Sequence, residues 1–375
     1  MQQAPMTAPT DDERFMALAL ALGRRGLGRT WPNPAVGAVI VRDGVIVGRG
    51  WTQRGGRPHA ETEALKWAGD AARGATMYVT LEPCSHHGRT PPCADAIIAA
   101  GVARVVSALA DPNPQVAGAG HWRLAENGVT VEVGTGADEA RQAHAGHIRR
   151  VNDGRPHVMV KLAVSADGKA GLSGRRPVQI TGSGVRNRVH AMRAMSDAVL
   201  TGIGTALSDD PLLTCRLPGM AGRSPVRVVL DSSLRLPVES RLVATAREVP
   251  LWVIAGEGAS RAAEQELTAR GVEIIRVAAA GNGGRDLAAA LQSLASRGIT
   301  RLMVEAGPIV TAGFVRADLV DEAVLFRSPN AIGADGIDAL EGMPLVALTA
   351  SPRLALSATE TVGADTVECF TRRTD

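Results

Sequence analysis

Apolar and polar positions in the first 150 residues alternate between helical and strand-like spacing. Apolar residues over positions 11–23 recur with the period of a helix, and Thr10 precedes them as a suitable cap. Two apolar stretches flank Asp43-Gly44, a pair typical of a β-hairpin turn. Further helical spacing occurs in AETEALKWAGDAA, CADAIIAAG and HWRLAENG, and strand spacing in ATMYVTLE, VARVVSAL and VTVEVG. This alternation predicts an α/β fold with a parallel or mixed sheet.

The polar segment ADEARQAHAGHIRRVNDGRP interrupts this pattern and is predicted to be a polar helix ending at Gly154 and Pro156. Beyond it the alternation starts again, with strands in HVMVKLAVS, DAVLTGIG, VRVVLDS, LWVIAG, RLMVEAG, EAVLFRSP and DTVECFT and helices in SGVRNRVHAMRAM, DLAAALQSLASRG and near 309–316. A chain of 375 residues is also too long for one ordinary domain. We therefore expect two α/β domains, residues 1–153 and 154–375.

Composition and charge restrict the class of partner. The chain is 45% hydrophobic and 21% charged, as in ordinary globular proteins, and its 41 basic and 38 acidic residues give a net charge of +3. This weak, mixed charge and an aromatic content of 3% argue against a nucleic-acid groove. No apolar run has the length of a membrane span, and FMALALAL follows three acidic residues, unlike an export signal. We expect a cytoplasmic protein with reduced thiols.

One segment, VTLEPCSHHGRTPPC, contains Cys84 and Cys93, two of the four cysteines. His59 and Glu61 lie upstream in RPHAETEALKWA, with His59 25 residues before Cys84 (84 − 59) and Cys84 nine before Cys93 (93 − 84). One imidazole and two thiolates would give zinc three ligands and leave the fourth position open, as in catalytic sites. Glu61 could then exchange protons, as in the zinc nucleobase deaminases. Buried thiols beside a solvated loop are the alternative.

These residues also carry a family resemblance. PNPAVGAVIV, HAETEAL and TLEPCSHHGRTPPC resemble the deaminase domain of the bifunctional riboflavin-biosynthesis deaminase/reductases, in which a long spacer separates the two cysteines. The resemblance implies a cytidine-deaminase-like three-layer domain, with zinc held by His59, Cys84 and Cys93 and with Glu61 as the proton shuttle. It also implies that Asn33 contacts the substrate. Ala38 departs from the family, which often has cysteine there, and we expect only a packing change.

The loop between the two cysteines has three interpretations. Its residues are Ser85, His86, His87, Gly88, Arg89 and Thr90. His86 and His87 could be extra metal ligands, but because three ligands already complete a catalytic zinc site, we expect the two histidines to face the substrate. Arg89 could approach a phosphate. A solvated loop without a ligand is the alternative.

The second half contains two glycine patterns that could bind a nucleotide. In TGIGTALSDDP, Gly202 and Gly204 are followed by Leu207, so the dinucleotide fingerprint Gly-x-Gly-x-x-Gly fails. In VEAGPIVTAG, Gly307 and Gly313 bracket a predicted strand-to-helix turn whose N–H groups could bind an anion, or which is simply a glycine-capped turn. KLAVSADGK, TGIGTALSDDPLLTCR, VRVVLDSSLRLP and VEAGP resemble the reductase domain of the same family, which is similar in fold to dihydrofolate reductase and uses NADPH.

The resemblance assigns residues of the second domain to two ligands. It implies cofactor contacts from Ala163, Gln179, Thr205, Asp209, Ser232, Gly307, Pro308, Ile309, Val310, Thr311, Ala312 and Gly313. It implies substrate contacts from Lys161, Pro177, Arg193, Leu213, Arg216 and Glu305. In GRRPVQITG, Pro177 and Gln179 replace a serine and an aromatic residue of the family, and proline lacks an N–H donor. These departures leave weaker or altered cofactor binding open.

The resemblance therefore implies two consecutive reactions on small phosphoribosyl pyrimidines. The first is zinc-dependent hydrolytic deamination of 2,5-diamino-6-(5-phosphoribosylamino)pyrimidin-4(3H)-one. The second is NADPH-dependent reduction of the ribosyl group, which gives 5-amino-6-(5-phosphoribitylamino)uracil. A deaminase with a non-catalytic, ligand-binding C-terminal domain is the alternative. The resemblance also suggests a homo-oligomer, and we expect neither a nucleic-acid nor a membrane partner.

Overall fold

The computed structural model describes residues 9–86, 88, 91–114, 116–176, 178–278 and 286–373. The chain divides into two compact units, Met1–Asp153 and Gly154–Asp375. Each unit has its own main β-sheet and its own buried core. Among the helices within the described ranges, none combines the length and apolarity needed to cross a membrane.

The first unit alternates helices and strands as its apolar pattern predicts. Thr10 caps the first helix through a capping box with Glu13. The described strands are β1 (Gly37–Arg42), β2 (Val45–Trp51), β3 (Thr76–Val79), β4 (Arg104–Ser107) and β5 (Thr130–Val133). The helices are α1 (Asp11–Gly23), α2 (Ala60–Ala68), α3 (Cys93–Ala99), α4 (Ala119–Glu126), α5 (Ala137–Ala143) and α6 (Ala145–Asp153).

The five strands form one mixed sheet between two helical layers. Their order is β2-β1-β3-β4-β5, with β1 antiparallel to its neighbours and β3, β4 and β5 parallel. Side chains alternate between the faces: Ala38 and Ile40 pack with α2 and α3, whereas Val39 and Val41 pack with α1 and α5. The fully buried Ala38 therefore belongs to the core, as expected for a packing difference.

Two glycines of β2 bring α2 close to the sheet. A Cβ atom at Gly48 would lie 2.3 Å from the carbonyl oxygen of Ala64, and one at Gly50 would lie 2.3 Å from that of Ala60. Any larger residue would push the helix outwards. Since α2 begins immediately after His59, this close packing fixes where His59 and Glu61 stand.

The second unit contains a larger sheet and a short β-ribbon. Its strands are β6 (His157–Val164), β7 (Lys169–Leu172), β8 (Ala198–Gly202), β9 (Val226–Leu230), β10 (Leu251–Gly256), β11 (Glu273–Val277), β12 (Arg301–Val304), β13 (Glu322–Arg327), β14 (Gly336–Asp338), β15 (Leu354–Val362) and β16 (Asp365–Arg372). Its helices are α7 (Ser183–Ala194), α8 (Ile203–Asp209), α9 (Arg241–Ala244), α10 (Arg261–Ala269), α11 (Leu287–Ser296), α12 (Pro308–Arg316) and α13 (Val346–Thr349).

The sheet order of the second unit places the ends of several strands side by side. The order is β11-β10-β9-β8-β12-β6-β13-β16-β15, and β7 pairs with β14 separately. Strands β6, β8, β9 and β12 run parallel, so their carboxyl ends lie at one edge of the sheet. This is the edge at which open α/β sheets usually bind ligands.

Several sequence predictions need correction. The polar segment before Gly154 is two helices, α5 and α6, separated at His144. The strand predicted to reach Gly204 ends at Gly202, where α8 begins. The predicted turn from Gly307 to Gly313 is the start of α12. Helix α10 was not predicted, and its one fully buried side chain, Leu267, explains the weak signal.

Candidate metal centre and cofactor pocket

Three side chains of the first unit converge into a compact donor cluster. The Nδ1 atom of His59 lies 3.3 Å from the sulfur of Cys93 and 3.7 Å from that of Cys84. All three donor atoms lie within 4.8 Å of one another. Ligands about 2.0–2.3 Å from one tetrahedral zinc ion are roughly 3.5 Å apart. The separations and the nitrogen–sulfur donor set therefore fit zinc, with one coordination position left for a reactant.

Two of the three residues stand at the start of a helix, and Cys84 lies in the loop that follows β3. His59 is the N-cap of α2 and has an extended backbone, one residue earlier than the first-turn position predicted for it. Cys93 is the first residue of α3, and its N–H group donates to the sulfur of Cys84 at 3.3 Å. The N–H group of Ala94 donates to the carbonyl oxygen of Cys84. These backbone bonds connect the zinc-ligand loop (residues 83–93) to the start of α3.

Mutual contacts in the cluster favour ionisation of one thiol. The hydrogen bond with Cys93 and the bond to His59 lower the pKa of Cys84 to about 4, against the effect of burial. The same hydrogen bond raises the pKa of Cys93. The first thiolate therefore forms easily and opposes the second, and a divalent cation between the two sulfurs would remove that opposition.

Glu61 lies beside this cluster without belonging to the donor set. Its side chain is buried, and burial raises the pKa of its carboxyl group. Glu61 and His59 line a cavity of about 230 Å³ together with Asn33. The Asn33 amide nitrogen donates to the carbonyl oxygen of Gly56 at 2.9 Å and lies 3.4 Å from Nε2 of His59. The amide oxygen of Asn33 is thus the atom suited to accept a hydrogen bond from a ligand.

The cavity wall includes residues that sequence reasoning did not single out. They are Pro32, Pro34, Val36, Thr52, Arg57, Leu81, Glu82, Asp111, Asn113, Val116, His147, Arg150 and Val151. The last three belong to α6, which the sequence had suggested only as a boundary segment. The i, i+3 spacing of His147 and Arg150 on a helix could have indicated a shared face.

The loop between the cysteines is only partly described. His86 is exposed and lines the cavity, and its contact with the substrate stays a prediction. His87, Arg89 and Thr90 lie outside the described residues. Metal binding by His86 finds no support, since the donor cluster found among the described residues contains His59, Cys84 and Cys93.

The second site lies where β8 and β12 end. The N–H group of Gly307 donates to the hydroxyl oxygen of Thr205 at 3.1 Å, which joins the start of α8 to the start of α12. A cavity of about 150 Å³ opens there, lined by Ala170, Gly171, Arg176, Val178, Gly204, Thr205, Ser208, Asp209, Gly307, Pro308 and Ile337. Small residues on its wall and the first turn of α12, which has no side-chain cap, fit a dinucleotide phosphate.

The predicted cofactor residues are spread unevenly around this cavity. Thr205, Asp209, Gly307 and Pro308 line it, whereas Ala163, Gln179 and Ser232 do not. Ser232 is exposed just beyond β9, at the same sheet edge, and Gln179 is exposed. Of the run from Gly307 to Gly313, Pro308, Val310, Thr311 and Ala312 are buried and Ile309 is exposed. Ile309 is therefore the most accessible side chain of this run.

A charged cluster stands next to the cofactor edge. Arg193 of α7 makes a bidentate ion pair with Glu305, with nitrogen–oxygen distances of 2.9 and 2.8 Å. The Lys161 amine lies 3.7 Å from the same carboxylate. Burial would raise the pKa of Glu305, but the charges of Lys161 and Arg193 lower it to about 2. The carboxylate is therefore ionised throughout the neutral range.

The remaining predicted substrate residues differ in what they can offer. Leu213 is buried in the core with φ of 52°, so it can present only backbone atoms to a ligand. The Arg216 side chain is exposed; desolvation and the positive charges of Arg193 and Arg241 lower its pKa, which places it near the charged cluster. Pro177 lies outside the described residues.

Acid titration should reveal the depressed pKa of Glu305. A carboxyl with a folded-state pKa of about 2 and an ordinary unfolded value near 4.5 contributes stability fully above pH 4.5, and this contribution is lost as the pH falls towards 2. Between pH 5 and 2.5, the melting temperature of the wild type should fall by roughly 5 °C more than that of Glu305→Gln. Thermal unfolding measures this difference. An equal fall in melting temperature for the two proteins would contradict the low pKa assigned to Glu305.

Comparisons with known proteins match both units of the chain to one family. Residues 9–109 match the model of the cytidine and deoxycytidylate deaminase zinc-binding region, and residues 156–367 match that of the RibD C-terminal domain. The riboflavin biosynthesis protein RibD of Escherichia coli is 43% identical and covers 90% of this chain and 93% of its own length. That of Aquifex aeolicus is 37% identical over 96% and 98%.

Two solved structures resemble the whole chain. Acinetobacter baumannii RibD (form 1) superimposes with a TM-score of 0.86 at 35% identity, covering 97% of this chain and 99% of its own. The Thermotoga maritima diaminohydroxyphosphoribosylaminopyrimidine deaminase/5-amino-6-(5-phosphoribosylamino)uracil reductase gives 0.83 at 35% identity with the same coverage. The predicted fold class is confirmed, as are zinc and NADPH as cofactors. This chain belongs to the RibD family of bifunctional riboflavin-biosynthesis deaminase/reductases.

Proposed function

We propose that the chain performs both steps expected from its sequence on phosphoribosyl pyrimidines. The first unit deaminates 2,5-diamino-6-(5-phosphoribosylamino)pyrimidin-4(3H)-one, and the second reduces the ribosyl group of the product with NADPH. The observation that carries this proposal is the cluster of His59, Cys84 and Cys93 beside the buried Glu61. A single chain with both domains also suits two consecutive reactions on related substrates.

His59, Cys84 and Cys93 would hold the zinc ion in the first unit. Bound zinc supplies a Lewis acid that makes water nucleophilic near neutral pH. The Glu61 carboxylate accepts a proton from the attacking water and delivers it to the departing amine nitrogen. Asn33 orients the ring through its amide oxygen, since its amide nitrogen is held by Gly56.

The second unit positions a hydride donor against the sugar. NADPH supplies the hydride when it is bound. The first turn of α12 and the α8 residues Thr205 and Asp209 hold the cofactor. Arg193 fixes the Glu305 carboxylate, which accepts hydrogen bonds from sugar hydroxyls, and Arg216 pairs with the phosphate.

The alternative of a non-catalytic second unit finds no support in the comparisons, which indicate both activities. The departures at Pro177 and Gln179 still call for a direct assay. The full-length chain, given the deaminated pyrimidine and NADPH, should oxidise NADPH with saturation kinetics. Binding of NADPH without its oxidation would show a ligand-binding domain instead.

Arg193→Lys should damage reduction alone. Lysine keeps the positive charge but cannot make the bidentate pair that fixes Glu305. We expect kcat/KM for reduction to fall about 100-fold, as for the loss of one buried charge-assisted bond, with deamination unchanged. Arg188→Lys is the matched control, because Arg188 lies on the same helix and makes an exposed ion pair with Glu360. Equal effects of the two changes would contradict the role of Arg193.

The cellular location and assembly are part of the same proposal. Free thiols at Cys84 and Cys93 suit a reducing compartment, so we place the enzyme in the cytoplasm. We also propose a homo-oligomer, following the resemblance. Sedimentation of the purified chain at micromolar concentration would test the assembly, and a monomer there would contradict it.

A further inference from the structure

Glu82, two residues before Cys84, is a buried carboxylate that accepts an unusual number of backbone hydrogen bonds. Its Oε2 atom accepts from the N–H groups of Asp111 at 3.0 Å and Gly118 at 2.9 Å. Its Oε1 atom accepts from Gly120 at 2.8 Å and from His121 at 3.3 Å. The side chain is completely buried. One carboxylate thus ties the zinc-ligand loop to residues 111–121.

The bonded segment contains the start of α4, which lacks a cap of its own. Gly118 is the N-cap residue, with φ of 78°, and offers no side-chain acceptor. Glu82 supplies that acceptor from a distant part of the chain, with a negative charge that suits a helix N-terminus. The backbones also touch, since a Cβ atom at Gly120 would lie 2.0 Å from the carbonyl oxygen of Pro83. The segment around Glu82 and the start of α4 are therefore held together by hydrogen bonds and by close backbone packing.

Both of these segments contribute residues to the first cavity or to the zinc-ligand cluster. On one side, Pro83 and then Cys84 follow Glu82 directly. On the other side, Asp111 and Asn113 line the cavity wall. The Asp111 carboxylate accepts from the N–H group of Asn113 at 2.8 Å and lies 3.2 Å from Nε2 of His147. A shift of Glu82 would therefore move the zinc ligand Cys84 together with the cavity-lining residues Asp111 and Asn113.

We propose that Glu82 is a positioning residue that fixes the position of the zinc-ligand loop relative to Asp111 and Asn113 in the wall of the deaminase cavity. This inference rests on the proposed deaminase function. It assigns to Glu82 a role in zinc affinity and substrate affinity beyond its contribution to folding. Residues that hydrogen-bond to a metal ligand typically change metal affinity 10- to 100-fold when they are replaced, and Glu82, which acts through the backbone two residues before Cys84, should have an effect at the lower end of this range.

The test replaces Glu82 by glutamine in the full-length chain. Glutamine has nearly the same shape, but its amide NH₂ would face two of the four N–H donors that the carboxylate now accepts. Asp12→Asn is the matched control. It removes a carboxylate that binds Arg104 and Tyr78 in the same unit but does not line the cavity. Zinc affinity by chelator competition, KM for deamination and melting temperature are measured for each variant.

We expect Glu82→Gln to weaken zinc binding about 10-fold and to raise KM, while Asp12→Asn lowers the melting temperature with zinc affinity within twofold of the wild type. Unchanged zinc affinity in Glu82→Gln, or equal weakening by Asp12→Asn, would overturn the inference. If Glu82→Gln does not fold, Glu82→Asp keeps the charge but is too short to reach all four donors. It should weaken zinc several-fold, and wild-type affinity there would also overturn it. A wild-type chain that binds no zinc would instead overturn the proposed function.

Discussion

Replacing Glu61 by glutamine should abolish deamination while the chain still binds zinc. Glutamine preserves the shape of the buried side chain but cannot take a proton from water and pass it to the leaving amine. Acid–base groups of this kind typically contribute 10²- to 10⁴-fold, so we expect kcat to fall by about 10³-fold or more. Ammonia release measures the rate, and metal analysis of the same sample measures the zinc.

Glu63→Gln is the matched control for this change. Glu63 lies on the same helix, two residues further on, and does not line the cavity. We expect its deamination rate to stay within about twofold of the wild type. A Glu61→Gln variant with substantial residual activity, or one that loses its zinc, would contradict the assignment of Glu61 as proton carrier.

Replacing Cys84 or Cys93 by serine should remove zinc and deamination but leave reduction intact. Both sulfurs face the same nitrogen of His59, so each change deletes one of three donors. Loss of an outer partner already costs 10- to 100-fold in metal affinity, and loss of a ligand should cost more than about 100-fold. NADPH oxidation with pre-deaminated substrate should proceed at the wild-type rate, because the second unit has its own core and sheet.

Cys369→Ser is the control for the cysteine changes. Cys369 is also a free thiol, but it lies on β16 of the second unit. Its replacement should leave zinc content unchanged. If Cys84→Ser also stopped reduction of pre-deaminated substrate, the two units would not act independently.

Sequence reasoning succeeded best for features that depend on residues close together in the chain. The hairpin at Asp43-Gly44 forms as expected, because both residues adopt the positive φ angles that this turn requires. The order and spacing of His59, Cys84 and Cys93 predicted a common site, and the structure brings their donor atoms together. Their roles as ligands stay a prediction for the zinc measurements to decide.

Sequence reasoning missed residues whose role depends on contacts between distant parts of the chain. Nothing local to Glu82 indicates that its carboxylate accepts N–H groups 29 to 39 residues away. His147 and Arg150 looked like part of a polar boundary helix, because their contribution to the cavity depends on where α6 packs. The strand β15 escaped prediction because most of its side chains are exposed, so it shows little apolar alternation.

The most direct test of two linked activities gives the full-length chain the diaminopyrimidine substrate with NADPH. We predict that ammonia release and NADPH oxidation proceed in a one-to-one ratio. Removing zinc with a chelator should stop both, and adding the deaminated pyrimidine should restore NADPH oxidation alone. NADPH oxidation that continues on the diaminopyrimidine after zinc removal, or that fails to return with the deaminated pyrimidine, would contradict this account.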